Sequence, residues 1–301
     1  MAKTSKQSEP ATSAGVTFVV PAYNEEQGIE GVVRRLLDLD LDVPVELLVV
    51  NDGSTDGTRS KLDELAAQVP ALRVLSHGFN QGYGAALKTG FGAAANEVVV
   101  ITDADGTYPE EKIADLLACI DDGAEMAVGA RTGEDVNVPL VRRPAKAVLR
   151  MLASYLAGTP IPDLNSGLRA FRRDLVMTYR PILPSGFSFT TTITLAALTN
   201  GHRVDYVSID YAARSGQSKI RPIRDTLGFT SLIIRTVLYF NPLKVFYPVA
   251  GLLGLTTAGS LAYDIFVNRD LGDKTVLLFV ALVQVLSVGL LADLIEKKSR
   301  M

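Results

Sequence analysis

Two aspartates one residue apart follow an apolar run near the middle of the chain. Residues Val99–Thr102 are typical of a buried strand, and Asp103-Ala104-Asp105 comes directly after them. Because side chains at i and i+2 of an extended segment point the same way, the two carboxylates can share one cation. Mg²⁺ in proteins is commonly held by one or two carboxylates together with substrate phosphates, and Mn²⁺ takes similar ligands. The pair therefore predicts a metal-held diphosphate ligand.

Other polar segments also follow predicted strands. Pro21-Ala22-Tyr23-Asn24-Glu25 comes after the first apolar run, and Asn51-Asp52-Gly53-Ser54 comes after the second. Asp52 can accept a hydrogen bond from a base N–H or a ribose hydroxyl, although its segment is equally typical of a polar turn before a helix. The segment from Asn80 to Lys88 has glycines at a predicted helix start, where backbone N–H groups favour anions, but it lacks the third glycine of the dinucleotide-binding motif.

Two later segments carry cations and hydroxyls. Asn165–Phe171 contains Arg169, and Arg214–Lys219 contains Ser218. A guanidinium group suits phosphate because it donates two parallel hydrogen bonds. For Arg214 and Lys219, attraction to anionic lipid headgroups is the alternative interpretation.

Alternating strand and helix patterns position these segments. Strands are predicted at Val16–Val20, Val45–Val50, Leu72–Leu75, Glu97–Thr102, Glu125–Val128 and Arg203–Asp210. Helices are predicted at Gln27–Leu39, Gly57–Gln68, Gly82–Ala95, Pro109–Ile120, Ala145–Leu156 and Thr190–Thr199. The alternation indicates an α/β domain with a mostly parallel sheet. Ligands of such sheets bind beyond the carboxyl ends of the strands, so the polar segments are expected at one edge.

The last third of the chain contains two uncharged apolar stretches. Val245 to Tyr263 has 19 residues without a charge, and Thr275 to Ala292 has 18. At about 1.5 Å per residue each spans roughly 27–28 Å, close to the thickness of the hydrocarbon core of a bilayer. Two buried core helices are the alternative, but they are usually shorter and less uniformly apolar. We predict a transmembrane hairpin.

Charge and composition restrict the class further. Residues 211–244 carry six basic side chains and one acid, whereas the loop between the apolar stretches carries two basic and three acidic residues. The positive-inside rule then places both termini in the cytoplasm. The net charge of −3 argues against nucleic acid as a partner, and the single cysteine, Cys119, excludes an intrachain disulfide. Residues 1–15 are polar, with no apolar core of a signal peptide, and are expected to be disordered.

Taken in order, the polar segments resemble a known family. Pro21–Glu25, Asn51–Asp56, Asp103–Pro109, Ser166–Arg169 and Arg214–Lys219 together are similar to family 2 glycosyltransferases of the dolichyl-phosphate-mannose-synthase type. These include bacterial polyprenyl-phosphate glucosyltransferases with a C-terminal membrane hairpin. The resemblance implies a GT-A fold, a nucleotide-sugar donor and a polyprenyl or dolichyl phosphate acceptor. It divides the chain into a tail (1–15), a catalytic domain (16–212), a juxtamembrane amphipathic segment (213–242), two transmembrane helices (243–293) and a cytoplasmic tail (294–301).

The resemblance also implies roles for individual residues. The expected nucleotide-binding residues are Pro21, Tyr23, Glu25, Asp52 and Lys88. Asp103 and Asp105 would hold Mg²⁺ or Mn²⁺ and, with Arg131 and Arg169, form the expected catalytic set. Residues expected to meet the acceptor phosphate are Arg169, Arg214, Ser218 and Lys219. Many relatives have Gln two positions after the second aspartate; this chain has Thr107 there, so a third protein ligand is left open.

An anionic acceptor agrees with what the sequence lacks. Sugar transfer to a hydroxyl needs a general base, but no Asp or Glu occurs from Leu175 to Val204. A lipid phosphate is already ionised. We therefore expect inverting transfer of a hexose to polyprenyl phosphate at the cell membrane. The resemblance to bacterial relatives favours a UDP-hexose such as UDP-glucose as the donor, with GDP-mannose next.

Two alternatives belong to other classes. A processive polysaccharide synthase is disfavoured because the chain has no tryptophan and only two apolar spans. An inactive membrane scaffold is disfavoured by the intact Asp52, Asp103 and Asp105. The sequence leaves open whether the chain forms a homo-oligomer.

Overall fold

The described strands form a single mixed sheet. The structure is a computed structural model that describes residues 12, 14–132, 151–155, 157–210, 234–235, 237–239 and 241–299. Within these residues the strand order is β3-β2-β1-β4-β6-β5-β7. The strands are β1 (Val16–Ala22), β2 (Val45–Asn51), β3 (Leu72–Ser76), β4 (Val98–Ile101), β5 (Met126–Arg131), β6 (Arg169–Arg172) and β7 (Val204–Ile209). Neighbouring strands pair in parallel except at β6, which is antiparallel to both β4 and β5.

Helices cover both faces of the sheet. They are α1 (Ile29–Leu37), α2 (Thr58–Gln68), α3 (Tyr83–Ala93), α4 (Ile113–Asp121), α5 (Arg173–Tyr179) and α6 (Phe189–Thr199), and a 3₁₀ turn at Glu110–Lys112 leads into α4. One core cluster lies under α1, α2 and α4, and the other lies under α3, α5 and α6. In β4, Val98 and Val100 face the first cluster while Val99 and Ile101 face the second. A strand buried on both faces reads as a continuous apolar run, which explains the pattern before Asp103.

The predicted alternation of strands and helices is confirmed, with one omission. The sequence pattern predicts no strand or helix around Arg169, but residues 169–172 form β6 and residues 173–179 form α5. A four-residue strand with arginines at both ends shows no alternation of apolar and polar side chains, so its pairing with β4 and β5 is decided only in the folded domain. Of the predicted helix at 145–156, residues 151–155 are described and are helical.

Two long helices follow the sheet domain. They are α7 (Leu243–Tyr263), continued by a π-helical turn at Asp264–Asn268, and α8 (Asp273–Ser299). Both are long and apolar enough to cross a bilayer. In each helix, only 11% of the apolar 18-residue stretch is buried inside the protein. Core helices of a soluble domain would be mostly buried, so the outward-facing apolar surface favours the hairpin interpretation. Val245, near the N-terminal end of α7, packs on a small cluster that contains Ala153, Leu195 and Val237. This contact joins the start of the helical hairpin to the sheet domain.

Candidate active site

A cavity of about 370 Å³ opens where β1, β2 and β3 end. It is lined by Tyr23 after β1, by residues 51 and 53–55 after β2, and by residues 77–80 after β3. The rings of Tyr23 and Phe79 are 42% and 70% exposed. Exposed aromatic faces can stack on a nucleobase, and the volume falls in the range of small-ligand pockets. The predicted meeting of polar segments at one sheet edge is what the structure shows.

Asp52 does not line this cavity but lies behind its wall. The side chain is buried, and its Oδ1 accepts hydrogen bonds from Gln81 N (2.9 Å) and from the His77 ring, whose Nδ1 lies 2.6 Å away. Its Oδ2 accepts a bond from Gly82 N at 2.8 Å. A buried carboxylate needs such donors to offset its lost hydration. Asp52 thus holds the 79–82 loop against β2, and direct contact with a nucleoside remains a prediction.

His77 was missed in the sequence analysis. Its Nδ1 faces Asp52 and its Nε2 lies 2.9 Å from the Thr89 hydroxyl, so the ring ties the end of β3 to α3. The available signal was its position: it is one of two histidines in the chain and directly follows β3 at the same sheet edge.

Pro21 and Glu25 do not line the cavity. Pro21 lies within β1, buried and opposite Val50 of β2, so its ring packs inside the sheet. This placement does not support the predicted contact between Pro21 and a nucleoside. Glu25 is half-buried, and its backbone N–H donates to the Thr58 hydroxyl at 2.9 Å. Of the predicted residues after β1, Tyr23 is the one that reaches the cavity.

The aspartate pair lies just beyond the end of β4. Both side chains are half-buried. Oδ1 of Asp105 accepts hydrogen bonds from the backbone N–H of Thr107 (3.2 Å) and from its hydroxyl (2.7 Å). Thr107 is buried and donates its hydroxyl proton to Asp105, so it orients that carboxylate.

Asp103 lies against the loop that leads into β6. A Cβ atom added at Gly167 would lie 2.7 Å from Oδ1 of Asp103, so only glycine fits there without a shift. Gly167 also donates its N–H to the Tyr108 hydroxyl at 2.6 Å. Burial, and after it the negative charge of Asp103, raises the pKa of Tyr83 and of Tyr108 well above the usual value. Both phenols therefore stay protonated around neutral pH and flank the carboxylate.

The donor set fits a hard divalent cation that also binds phosphate. Asp103 and Asp105 offer carboxylate oxygens from one strand end. Among the residues that the structure describes, no cluster of three or more His, Cys, Asp or Glu side chains could hold a metal by itself. Mg²⁺ and Mn²⁺ suit a site with one or two carboxylates and substrate oxygens, whereas a structural zinc site needs about four protein ligands.

Arg131 forms a bidentate ion pair at the end of β5. Its Nε and Nη2 lie 2.7 and 2.9 Å from the two carboxylate oxygens of Asp163, a partner that the sequence analysis missed. Burial alone would raise the pKa of Asp163, but the guanidinium outweighs it and holds that pKa below the usual value. The contact of Arg131 with a phosphate stays a prediction.

Arg169 is fully buried, which corrects its predicted role. It hydrogen-bonds through Nε to Ser166 O (2.8 Å), through Nη1 to the Thr194 hydroxyl (2.6 Å) and through Nη2 to Leu164 O (2.8 Å). Burial lowers its pKa. A guanidinium whose donors are used inside the protein does not reach a phosphate in this conformation. Arg169 instead fixes the 164–168 loop, which lies against Asp103, to α6.

Lys88 also differs from its prediction. It points toward the segment after α5, where its ammonium donates to Leu183 O (3.1 Å) and to the Ser185 hydroxyl (3.2 Å). It lines a second cavity rather than the one beside Tyr23. The other predicted phosphate-binding residues, Arg214, Ser218 and Lys219, lie outside the described residues.

Comparison with known proteins agrees with this geometry. The sequence matches glycosyl transferase family 2 over residues 17–180 and the GtrB C-terminal hairpin over residues 241–297. It is 32% identical to polyprenol monophosphomannose synthase of Mycolicibacterium smegmatis, over 70% of this chain and 84% of that protein. It is 33% identical to dolichyl-phosphate hexose transferase of Haloferax volcanii, over 74% and 94%. Glucosyl-3-phosphoglycerate synthase of Mycobacterium tuberculosis, crystallised with Mn²⁺, UDP and phosphoglyceric acid, shares the fold with a TM-score of 0.57 and 23% identity, over 76% and 79%.

The fold and the strand-end site define a GT-A glycosyltransferase. Since the family match covers more than half of the chain, the protein belongs to glycosyl transferase family 2, and it carries a hairpin of the GtrB type. The family, the α/β fold and the enzyme class expected from the sequence are confirmed.

Proposed function

We propose that the protein transfers a hexose from a nucleotide sugar to a polyprenyl phosphate and inverts the configuration at the sugar C1. The observation that carries the proposal is a single sheet edge that holds both a nucleoside-sized cavity and the Asp103–Asp105 pair, in a chain with a GtrB-type hairpin. The names of the two similar enzymes, with polyprenol and dolichyl phosphate acceptors, support the acceptor class.

Each part of the edge has a separate task. Tyr23 and Phe79 bind the base by stacking, and Asp52 keeps the 79–82 wall in place. Asp103 and Asp105 would hold Mg²⁺ or Mn²⁺, which when bound stabilises negative charge on the leaving nucleoside diphosphate. Thr107 orients Asp105, and the protonated phenols of Tyr83 and Tyr108 flank Asp103 beside the donor phosphates.

The reaction needs no carboxylate base. An anionic oxygen of the lipid phosphate forms the new bond to C1 while the bond from C1 to the diphosphate oxygen breaks, and the electron pair leaves with the diphosphate. No proton has to be removed, so positioning is the main task of the protein. In agreement, the sequence has no Asp or Glu from Leu175 to Val204.

The donor remains the finer part of the proposal. A UDP-hexose such as UDP-glucose is placed first because of the overall similarity to bacterial enzymes with a C-terminal hairpin. A mannosyl donor such as GDP-mannose is second, and the mannose in the name of the mycobacterial relative supports it.

A nucleotide-sugar panel tests the activity directly. The full-length protein in detergent is given one polyprenyl phosphate, Mn²⁺ and radiolabelled UDP-glucose, GDP-mannose or UDP-N-acetylglucosamine. We expect label in an acid-labile lipid from UDP-glucose above all. Label in a water-soluble polymer would favour a polysaccharide synthase, and absence of lipid label with every donor would contradict the proposal.

We also propose that the sheet domain and both termini face the cytoplasm. In a Cys119→Ser background, a cysteine at the exposed Leu271 between α7 and α8 should react with a membrane-impermeant maleimide in intact cells, whereas one at Lys298 should not. The reverse labelling pattern would overturn the orientation.

A further inference from the structure

A second cavity lies on the other side of the His77–Thr89 contact. It has a volume of about 580 Å³ and opens between α3 and the segment that follows α5. Lys88 and Thr89 of α3 line it on one side, and Arg180 and Ser185 line it on the other. His77 lines the nucleoside cavity, so its 2.9 Å contact with the Thr89 hydroxyl separates the two spaces.

The charged side chains that line this cavity, Lys88 and Arg180, are both basic. No Asp or Glu lines it, although the whole chain has a net charge of −3. Among the described residues, Lys88 donates only to neutral oxygens, those of Leu183 and Ser185. Over the described part of the chain, neither Lys88 nor Arg180 makes an ion pair with an acid. Two positive groups that share a cavity without a counter-charge raise each other's energy, and a bound anion would relieve this.

The Arg180 guanidinium reaches toward α3, the helix that carries Lys88. A Cβ atom added at Gly92 would lie 3.9 Å from Nη2 of Arg180, so the guanidinium sits beside Gly92. Gly92 is four residues after Lys88 in α3, on the same helix face, and such positions are roughly 5–6 Å apart. Gln81 and Ser185 add an amide and a hydroxyl at the rim.

We propose that this cavity binds a phosphate-bearing anion through Arg180 and Lys88, at a site separate from the nucleotide-sugar site. The planar guanidinium supplies paired hydrogen bonds and the ammonium supplies a point charge, the combination that proteins use for phosphate. The source is either a free phosphate or diphosphate or the headgroup of an anionic lipid.

The site is connected to the donor edge. Ser185 O accepts a hydrogen bond from Ala85 N at 3.0 Å, and a Cβ atom at Gly82 would lie only 2.5 Å from that oxygen. Gly82, at φ +100°, is the residue whose N–H is held by Asp52. An anion that binds Lys88 in place of Ser185 therefore changes the contacts of the segment around Ser185. That segment packs against the start of α3.

Protection of Lys88 from acetylation tests binding locally. The full-length protein in detergent with EDTA is treated with an amine-acetylating reagent, and the modification of each lysine is followed by mass spectrometry. Inorganic pyrophosphate should slow acetylation of Lys88 at least fivefold and leave the exposed Lys112 unchanged. In a second arm, nanodiscs of phosphatidylglycerol are compared with nanodiscs of phosphatidylcholine. Protection by pyrophosphate identifies a free anion, and protection by phosphatidylglycerol alone identifies a headgroup.

Variants separate this site from the catalytic one. Arg180→Gln removes the guanidinium without touching the bonds of Lys88 and should raise the pyrophosphate concentration needed for half-maximal protection at least tenfold, whereas Arg34→Gln, an exposed arginine on α1, should not. Asp105→Asn should leave the protection of Lys88 unchanged, so failure of the proposed transferase would not affect the result. Protection that persists in Arg180→Gln, or its absence in both arms, would overturn the proposal.

Discussion

The tripeptide Asp-Gly-Thr occurs at two strand ends with different surroundings. Residues 56–58 follow the β2 loop and lead into α2, and residues 105–107 follow β4. In each, the threonine N–H and hydroxyl donate to Oδ1 of the aspartate, at 3.0 and 2.5 Å for Asp56 and at 3.2 and 2.7 Å for Asp105. The two segments thus share the same threonine-to-aspartate hydrogen bonds, although their backbones differ at the glycine, with φ +68° at Gly106 and −71° at Gly57.

What differs is the second carboxylate and its support. Two residues before Asp105 stands Asp103, with Gly167 and two phenols against it, whereas Ser54 holds the corresponding place before Asp56. Partial burial would raise the pKa of the exposed Asp56, but the donors of Thr58 lower it below the usual value. The turn motif therefore orients one carboxylate, and a partner carboxylate brought by the fold makes a cation site.

The largest expected effect separates the two turns. Asp105→Asn keeps an acceptor for Thr107 but removes the charge, so transfer should fall about 100-fold or more, since roughly 3 kcal/mol of charge stabilisation is lost. Asp56→Asn preserves the matching turn and should change the rate less than about threefold. Rates with radiolabelled donor and Mn²⁺ affinity by calorimetry measure both. Equal loss in the two variants would mean that the turns act only on folding.

The loop behind Asp103 is tested by Arg169→Lys. Lysine keeps the charge but loses the hydrogen bonds to Leu164, Ser166 and Thr194, so the free energy of unfolding should fall by about 3 kcal/mol. Arg172→Lys, at the half-exposed end of the same strand, should change it by about 0.5 kcal/mol or less. Circular dichroism during thermal unfolding measures the difference. If the Arg169→Lys protein is as stable as the wild type and only its KM for polyprenyl phosphate rises, the predicted contact between Arg169 and the acceptor phosphate would be supported instead.

At the β2 end, Asp52→Asn should act through the loop. An Asn side chain has only one oxygen, so it cannot accept both the Gln81 and the Gly82 hydrogen bond as the two carboxylate oxygens of Asp52 do. The free energy of unfolding should therefore decrease by about 2 kcal/mol. The KM for the nucleotide sugar should rise while kcat changes little. Asp115→Asn, on the exposed face of α4, is the matched control. A fall in kcat as large as that of Asp105→Asn would contradict the assignment of Asp52 to donor binding and of Asp105 to the chemical step.

The smallest expected effect concerns pH. The folded pKa of Asp163 lies below its usual value, so its pairing with Arg131 stabilises the protein above about pH 4 and is lost as the pH falls through the folded pKa. Asp163→Asn should therefore be less stable than the wild type by about 1 to 2 kcal/mol at pH 7. The difference in the free energy of unfolding between the wild type and Asp163→Asn should become smaller below about pH 4. A gap in melting temperature that stays constant from pH 7 to pH 3 would contradict the assignment.

The order of elements and the location of the chemistry were predictable from local pattern. Apolar runs of strand length that end in polar residues placed Tyr23 and the Asp103–Asp105 pair at one sheet edge, and two uncharged stretches predicted α7 and α8. These properties depend on residues close together in sequence, so periodicity and length suffice to find them. The hydrogen bonds from threonine to aspartate in the two Asp-Gly-Thr segments are likewise local, although the backbone at the glycine is not the same in both.

Tertiary structure alone decided which polar side chains remain available to a ligand. Arg169 and Asp52 have the residue types of ligand-binding groups, yet both are buried and bonded to backbone groups of other segments, while Lys88 turns to the segment after α5. The same guanidinium or carboxylate can satisfy its hydrogen bonds with substrate or with protein. The choice depends on which distant loops pack around it, and one sequence pattern is compatible with either outcome.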